Sequence, residues 1–528
     1  MNKAKVGFLL SFMLSVVMLV ACSESESSVS ERSKEISLTK EGFPIVEEPV
    51  TMEMFGPSTS IADWEDMHFF KEMEEITNVK LTFLNPSLES LETQKNLMFA
   101  SGDYSDILFG ASLTLEEQVD YGSQGILIPL NDLIEEHAPN VQKVLEDYPL
   151  VEQVITATDG NIYALPNVDM GITWDRGPMW YNQKWLDALE VEGLPETTDE
   201  LYQLLKRFKT EDPNGNGEAD EIPLTAFKIE DIRQWFLGFF GHLDPGLEVI
   251  DGEVIFGAIQ PGYKAYLEYM NKLYAEGLLD PESFSQTGDQ KKAKGQANQI
   301  GLFADWSPHF TLGGEAEPGD HPMMQPVRSD IVDEPRLPKR DGISPGQFAI
   351  TSSNPYPEVA IRWVDYLYSL EGATLANIGK EGVFWEWKDE EKGIRVNKET
   401  PAQYGSGEEW RGSLTPDFGV PIPKRGYTEI GLSWEDSSTF TLDETAEKFE
   451  PYAQVALPKM FLTKEEQNEV GRIRADLDAY VEQMEAKFIT GQEPLSKWDE
   501  YVDTVNKMKV GRLIEIYAEA YEKFNTAE

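Results

Sequence analysis

The chain has 528 residues, 41% hydrophobic and 11% aromatic, which describes a globular protein too long for one compact core and suited to two large lobes or two or three domains. A formal net charge of −49 with no basic stripe excludes a nucleic-acid-binding surface and repels anionic lipid headgroups. The single cysteine, Cys22, excludes an intramolecular disulfide and a thiolate zinc site, and none of the five histidines falls in an HExxH spacing.

In chain order, Lys3 and Lys5 precede an apolar run over residues 6–21, the pattern of an export signal and short for a membrane span. The run ends Leu19-Val20-Ala21-Cys22, which resembles the lipobox of bacterial lipoproteins, in which the cysteine becomes the lipidated first residue. Residues 1–21 are thus expected to be a signal peptide. Residues 22–44, opening on a Ser- and Glu-rich stretch that cannot bury a core, read as a tether holding a folded body off a membrane.

Residues 50–55 alternate as a strand. Ile61, Trp64, Phe69, Phe70, Met73 and Ile76 follow at near-helical spacing, and Val79, Leu81 and Phe83 alternate again. A helical stretch over 88–100 leads to a short buried strand over 106–109 ending at Gly110. Strand, helix, strand, helix, strand predicts an α/β lobe with a mainly parallel sheet, whose ligands would sit beyond the carboxyl ends of the strands. Thr197 and Glu200 form a capping box for a helix burying Leu201, Leu204, Leu205 and Phe208. Further strands are expected at 162–166, 300–303 and 346–351, and further helices at 263–279 and 357–370. Residues 381–438 are irregular and hold four tryptophans. The tail is helical, with a Thr463/Glu466 capping box, an apolar stripe through Phe488 and a stop at Gly491.

Directly after the capped helix, Asp212, Asn214 and Asn216 place side-chain oxygens at alternate positions around glycines, and Asp220 and Glu221 close the run. Hard oxygen ligands in this alternation suit Ca2+. The twelfth position, where an EF-hand carries a bidentate Glu, is Pro223, so Asp220, Glu221 and the backbone carbonyl of Glu218 would have to complete the shell. An Asx-turn loop without metal is the alternative.

Taken together, the chain resembles the solute-binding lipoproteins of carbohydrate ABC importers, the maltose-binding-protein-like family. The resemblance rests on the order of the lipobox, the 106–109 strand, Ile162-Tyr163-Ala164-Leu165-Pro166, Met179-Trp180-Tyr181-Asn182-Gln183-Lys184-Trp185-Leu186, Tyr274-Ala275-Glu276-Gly277-Leu278-Leu279-Asp280-Pro281, the 300–306 segment, Phe348-Ala349-Ile350-Thr351 and Lys487-Phe488-Ile489-Thr490-Gly491. It implies a two-lobed α/β fold of the periplasmic-binding-protein type II class with crossing hinge segments and a helical C-terminus. The first lobe would span 45–168 and 346–380, the second 169–345 and 381–528. The long members that bind alginate oligosaccharides carry a calcium loop of this kind, and the resemblance implies a structural Ca2+ on Asp212, Asn214, Asn216, Glu218, Asp220 and Glu221.

The function implied is capture of an oligosaccharide, uronate-containing or neutral, by a monomeric protein lipid-anchored at Cys22 on the outer face of the cell membrane, for delivery to ABC permease subunits. Trp faces stack on sugar rings and charged or amide side chains satisfy the hydroxyls. Trp64, Trp185, Trp363 and Trp498 sit on helical stripes and are assigned to the core. Trp174, Trp235, Trp306, Trp385, Trp387 and Trp434 are the candidate sugar contacts, with Arg176 and Arg411 beside them; Arg233 is a further arginine near an aromatic. A secreted lyase or glycosidase and a surface adhesin or sensor remain the alternatives; no GxSxG, Walker A or GxGxxG motif is present.

Overall fold

The computed structural model describes residues 37–526 apart from 60, 172–173, 175, 314–320, 392, 418, 427–432 and 435–437. The expected signal peptide, Cys22 and residues 23–36 of the expected tether lie outside the described residues, and no described helix is long and apolar enough to cross a membrane. The expected tether over 22–44 is too long: Leu38 bridges Val46 and packs on the first core, and Phe43 meets Tyr366 at 5.0 Å, so residues 38–44 belong to the folded body.

Two sheets organise the chain. The first contains β1 (Val50–Phe55), β2 (Val79–Leu84), β3 (Ile107–Phe109) and β4 (Leu165–Val168). The second contains β5 (Met179–Tyr181), β6 (Ile222–Thr225) and β7 (Ile300–Ala304), and β8 (Ile343–Ile350) returns to the first. The first sheet has the order β2-β1-β3-β8-β4, with β1 parallel to β2 and β3. It is mixed rather than all parallel, because β8 runs antiparallel to both β3 and β4. The reason is topological. β4 leaves this sheet for the second lobe at Val168, and β8 enters from the second lobe at Ile343 beside it, so the two must run opposite ways.

The second sheet has the order β5-β7-β6, with β5 antiparallel and β6 parallel to β7. Each sheet has its own core. Met52, Phe69, Phe109, Trp363 and Phe348 anchor the first, and Trp180, Trp185, Phe208, Trp235 and Phe303 the second. The first long helix of the tail, Lys464–Thr490, adds Ile473, Leu477 and Phe488 to the second core. It starts at the Thr463/Glu466 capping box and stops at Gly491 in the left-handed conformation.

The segment 381–426 packs on the first lobe, not on the second as its sequence position suggested. Phe384, Trp385 and Trp410 form a small cluster with Ile378, and Ile422 enters the first core. Lys380 also reaches Glu72 at 2.7 Å. The chain therefore leaves the first lobe after β4, re-enters it before β8, and is still paired with it at Trp434, beside Arg395.

Backbone polar groups are satisfied across long sequence separations. Helix Pro139–Asp147 has no capping side chain of its own. Its first amides, Asn140 and Val141, donate at 2.9 Å to Asp365, which also accepts from the Asn140 side chain at 2.7 Å. Burial pushes the Asp365 carboxyl up to about 6, outweighing these hydrogen bonds and Arg362. Between about pH 4 and 6 the folded form thus holds a proton that the unfolded chain has released, so this residue's contribution falls as pH rises through that window, by up to about 3 kcal/mol. Urea denaturation from pH 4 to 7 should show that slope, and Asp365→Asn should remove its share of it.

Candidate functional site

Because β4 leaves the first sheet at its carboxyl end, the carboxyl edge of β1–β3 faces the second lobe. In the second sheet β5 starts, and β6 and β7 end, at the edge nearest the crossing. Those facing edges are where an open α/β sheet presents ligand loops. At the second edge Gly177, just before β5, lies so close to Asp305, just after β7, that a Cβ would come within 2.7 Å of its carbonyl carbon; its φ of +81° also favours glycine. Phe227 emerges from β6 at the same edge.

These segments enclose a hollow of about 420 Å³ lined by Arg176, Phe227, Lys291, Asp305, Trp306 and Phe310 among others. Trp306 is 43% exposed, Phe310 55% and Phe227 39%. They are three of nine exposed large hydrophobic side chains among the described residues, and they converge on this one hollow. Trp174 is buried beneath them. Its ring meets Trp306 edge-on at 4.8 Å and 63°, and its indole N–H donates to Thr445 at 3.1 Å. Trp174 is thus the support of the platform, and Trp306 carries the open face.

The polar groups of the hollow are tied to one another. Arg176 pairs with Asp231 at 3.3 Å. Burial raises the Asp231 carboxyl above its ordinary value, against the Lys228 amide and Arg176, which lower it. Lys291 is 6% exposed and donates to the Ala304 carbonyl at 2.6 Å and to Asp305 at 2.9 Å. Asp305 also accepts from the Trp306 amide at 2.8 Å and from the Thr311 hydroxyl at 2.5 Å. This fixes the backbone on which the Trp306 ring stands. Nothing in the local pattern singled out Phe227, Phe310, Lys291 and Asp305 beforehand. Position after a strand was the available signal, and residues 222–225 do not alternate clearly enough to be read as one.

The other candidates lie elsewhere. Trp235 is 0% exposed in the second core against Phe449, so it has no face to offer a sugar. Trp385 is buried, donates to the Gly379 carbonyl at 3.0 Å and, with Trp387, packs against the Arg395 guanidinium, which lies 4.8 and 4.1 Å from the two rings. Trp387 is half-buried on the same strand, in the 381–426 segment of the first lobe. The backbone of Trp434 pairs beside Arg395; its side chain lies outside the described residues. Arg411 is committed to Asp417 at 2.6 Å, Glu408 at 3.0 Å and the Asn377 carbonyl, and Arg233 to Glu485 at 2.5 Å. Neither has a free fork for a ligand carboxylate.

The Asp212–Glu221 loop precedes β6 and so stands at the opposite end of that strand from Phe227, roughly 13 Å away for four extended residues. Asp220 accepts from Asn214 at 2.9 Å, Asn216 at 3.0 Å and Gln299 at 2.6 Å, which hold its carboxyl below the ordinary value. Glu221 has a buried carboxylate oxygen with no hydrogen-bond partner, and burial followed by Asp220 and Asp212 raises its carboxyl. An orphaned buried oxygen beside two acids suits a cation. Among the described residues, however, no three His, Cys, Asp or Glu side chains converge as a metal cage. The carboxylates alone do not make the site, and Asn214, Asn216 and the Glu218 carbonyl would have to complete it.

Residues 58–374 match the family described as bacterial extracellular solute-binding protein. The chain is 27% identical to the fructooligosaccharide ABC transporter substrate-binding protein FusA of Streptococcus pneumoniae, over 97% of this chain and 96% of that one. A structure of the S. pneumoniae FusA EF-hand mutant in complex with fructo-nystose superposes with a TM-score of 0.76 at 24% identity, covering 91% of this chain and 100% of that one. The alginate-binding protein AlgQ2 without calcium ion superposes with a TM-score of 0.70 at 25% identity, over 90% and 99%.

The ionic cluster that holds Arg411 generates a stability prediction. Burial raises the Asp417 carboxyl, but Arg411 and Lys424 outweigh it and hold it below the ordinary value. Asp417→Ala would leave two buried cations without their shared carboxylate and should cost about 3–5 kcal/mol, read by chemical denaturation.

Proposed function

The chain belongs to the bacterial extracellular solute-binding protein family, and from that premise we propose that it captures an oligosaccharide between its lobes and delivers it to the permease of an ABC importer. The observation that carries this reading is the exposed Trp306 face on its buried Trp174 support, at the edge of the second sheet that looks toward the first. A sugar ring laid on Trp306 buries its apolar face, and the remaining lone pairs of Asp231 and Asp305 and the donors of Arg176 are within the same hollow for hydroxyls. Closure brings the strand ends of the first lobe over the other side of the ring. Binding, not bond cleavage, is the task. The names of the relatives span a neutral fructooligosaccharide and a polyuronate, so they support a carbohydrate ligand without choosing one.

The lipobox at Leu19-Val20-Ala21-Cys22 supports anchoring through Cys22 at the outer membrane face, with a monomeric body on the tether. The Asp212, Asn214, Asn216, Glu218, Asp220 and Glu221 oxygens would hold Ca2+ as a structural ion, and the EF-hand and calcium named in the two neighbouring structures support that assignment. Its chemistry would be to neutralise Glu221 and tie the loop to the amino end of β6.

Titration calorimetry of the mature protein against neutral and acidic oligosaccharides, with product analysis, tests the function. Saturable binding without cleavage is expected, and released products would reverse the assignment. Trp306→Ala should weaken affinity about tenfold, about 1.4 kcal/mol, with an unchanged melting temperature. Calcium should raise the melting temperature and chelation should lower it while leaving sugar affinity near its original value. Asp212→Ala together with Glu221→Ala should abolish the calcium response.

A further inference from the structure

Resting on the assignment of the Trp306 hollow as the sugar site, we propose that this site accepts neutral oligosaccharides and rejects uronates, and that Asp231 and Asp305 set that choice. A uronate is recognised by a cation with donors and charge to spare, typically an arginine fork. The hollow contains three cations, Arg176, Lys291 and Lys292, and three acids, Asp231, Asp289 and Asp305, so its formal charge is zero. Two of the cations are already matched. Arg176 stands 3.3 Å from Asp231, and the buried Lys291 is spent on Asp305 and the Ala304 carbonyl.

The helix Gly288–Gln296 points its amino end at the same hollow, a feature that would draw an anion. That end carries Asp289 in its first turn, which already occupies the favourable potential. Arg233 and Arg411 are held by Glu485 and Asp417. Lys292, the exposed third cation, is balanced in formal charge by Asp289, so in a chain of net charge −49 an incoming carboxylate meets no net positive charge in the hollow and repulsion from the rest of the molecule. A neutral sugar meets no such barrier. It needs an aromatic face, which Trp306 supplies, and hydroxyl acceptors, which two carboxylates fixed by their own cations supply without the cost of leaving a buried charge unpaired.

Calorimetry with fructo-, manno- and xylo-oligosaccharides against oligogalacturonates and alginate oligomers of equal length, on the full mature chain, is the test. At least one neutral series should bind more than tenfold tighter than every uronate. Asp231→Asn, which keeps the side-chain shape and releases the Arg176 charge, should raise uronate affinity about tenfold and lower neutral affinity. Asp289→Asn, at an exposed position, should shift selectivity the same way by a smaller factor and guards against a folding defect in the first variant. Uronates binding as tightly as neutral sugars, with the Trp306→Ala loss intact, would overturn the selectivity alone. Binding of either class that ignores Trp306→Ala, or no binding across both panels, would overturn the site and the selectivity with it.

Discussion

The architecture depends on how three stretches of the chain are pinned together where the lobes meet. The Asp169 amide donates to the Gly342 carbonyl at 2.7 Å, the Val168 amide to the Lys424 carbonyl at 3.0 Å and the Gly426 amide to the Val168 carbonyl at 2.5 Å, so the end of β4 is bonded to both other stretches. Lys459 clamps the second crossing from the side, through Asp341 at 2.5 Å and the Ile343 carbonyl at 2.7 Å. Two glycines make the approach possible. A Cβ on Gly342 would come within 2.7 Å of Met170 Sδ, and one on Gly426 within 2.1 Å of the Asp169 carboxyl carbon. Each lobe keeps its own core, and outside this strip the lobes also touch where Lys464 pairs with Asp120 at 2.8 Å.

That constraint decides what the ligand side can be. The sheet edges that border the strip face each other, and the aromatic hollow lies on one of them. Its floor is rigid: Trp174 is buried, Asp305 is bonded to Lys291, Thr311 and the Trp306 amide, and Gly177 admits the two segments to contact. The faces of Trp306, Phe227 and Phe310 stay open in that arrangement. The Asp212–Glu221 loop sits at the other end of β6 from the hollow.

Much of this was legible from local pattern. The Thr197/Glu200 and Thr463/Glu466 boxes and the stop at Gly491 are short-range signals, and they mark the ends of the helices they border. Trp64, Trp185 and Trp363 were assigned to packing by helical spacing, and each is buried. Trp306 stood out because it follows a buried strand. What was not legible depends on partners far away in sequence. Trp235 looks like a loop aromatic until Phe449 covers it, and Arg411 looks available until Asp417 and Asn377 take its donors. The lobe to which 381–426 belongs is decided by contacts with Ile378 and the first core, which no local periodicity encodes. The antiparallel β8 is likewise a consequence of the crossings, not of its own residues.

A crystal structure of the mature protein with a bound neutral oligosaccharide tests the central claim most directly. The sugar ring should lie against the Trp306 face, with Phe227 and Phe310 beside it, hydroxyls on Asp231 or Asp305, and the carboxyl-edge loops of the first lobe closing over it. A sugar held on another surface, or in contact with one lobe and clear of Trp306, would contradict it.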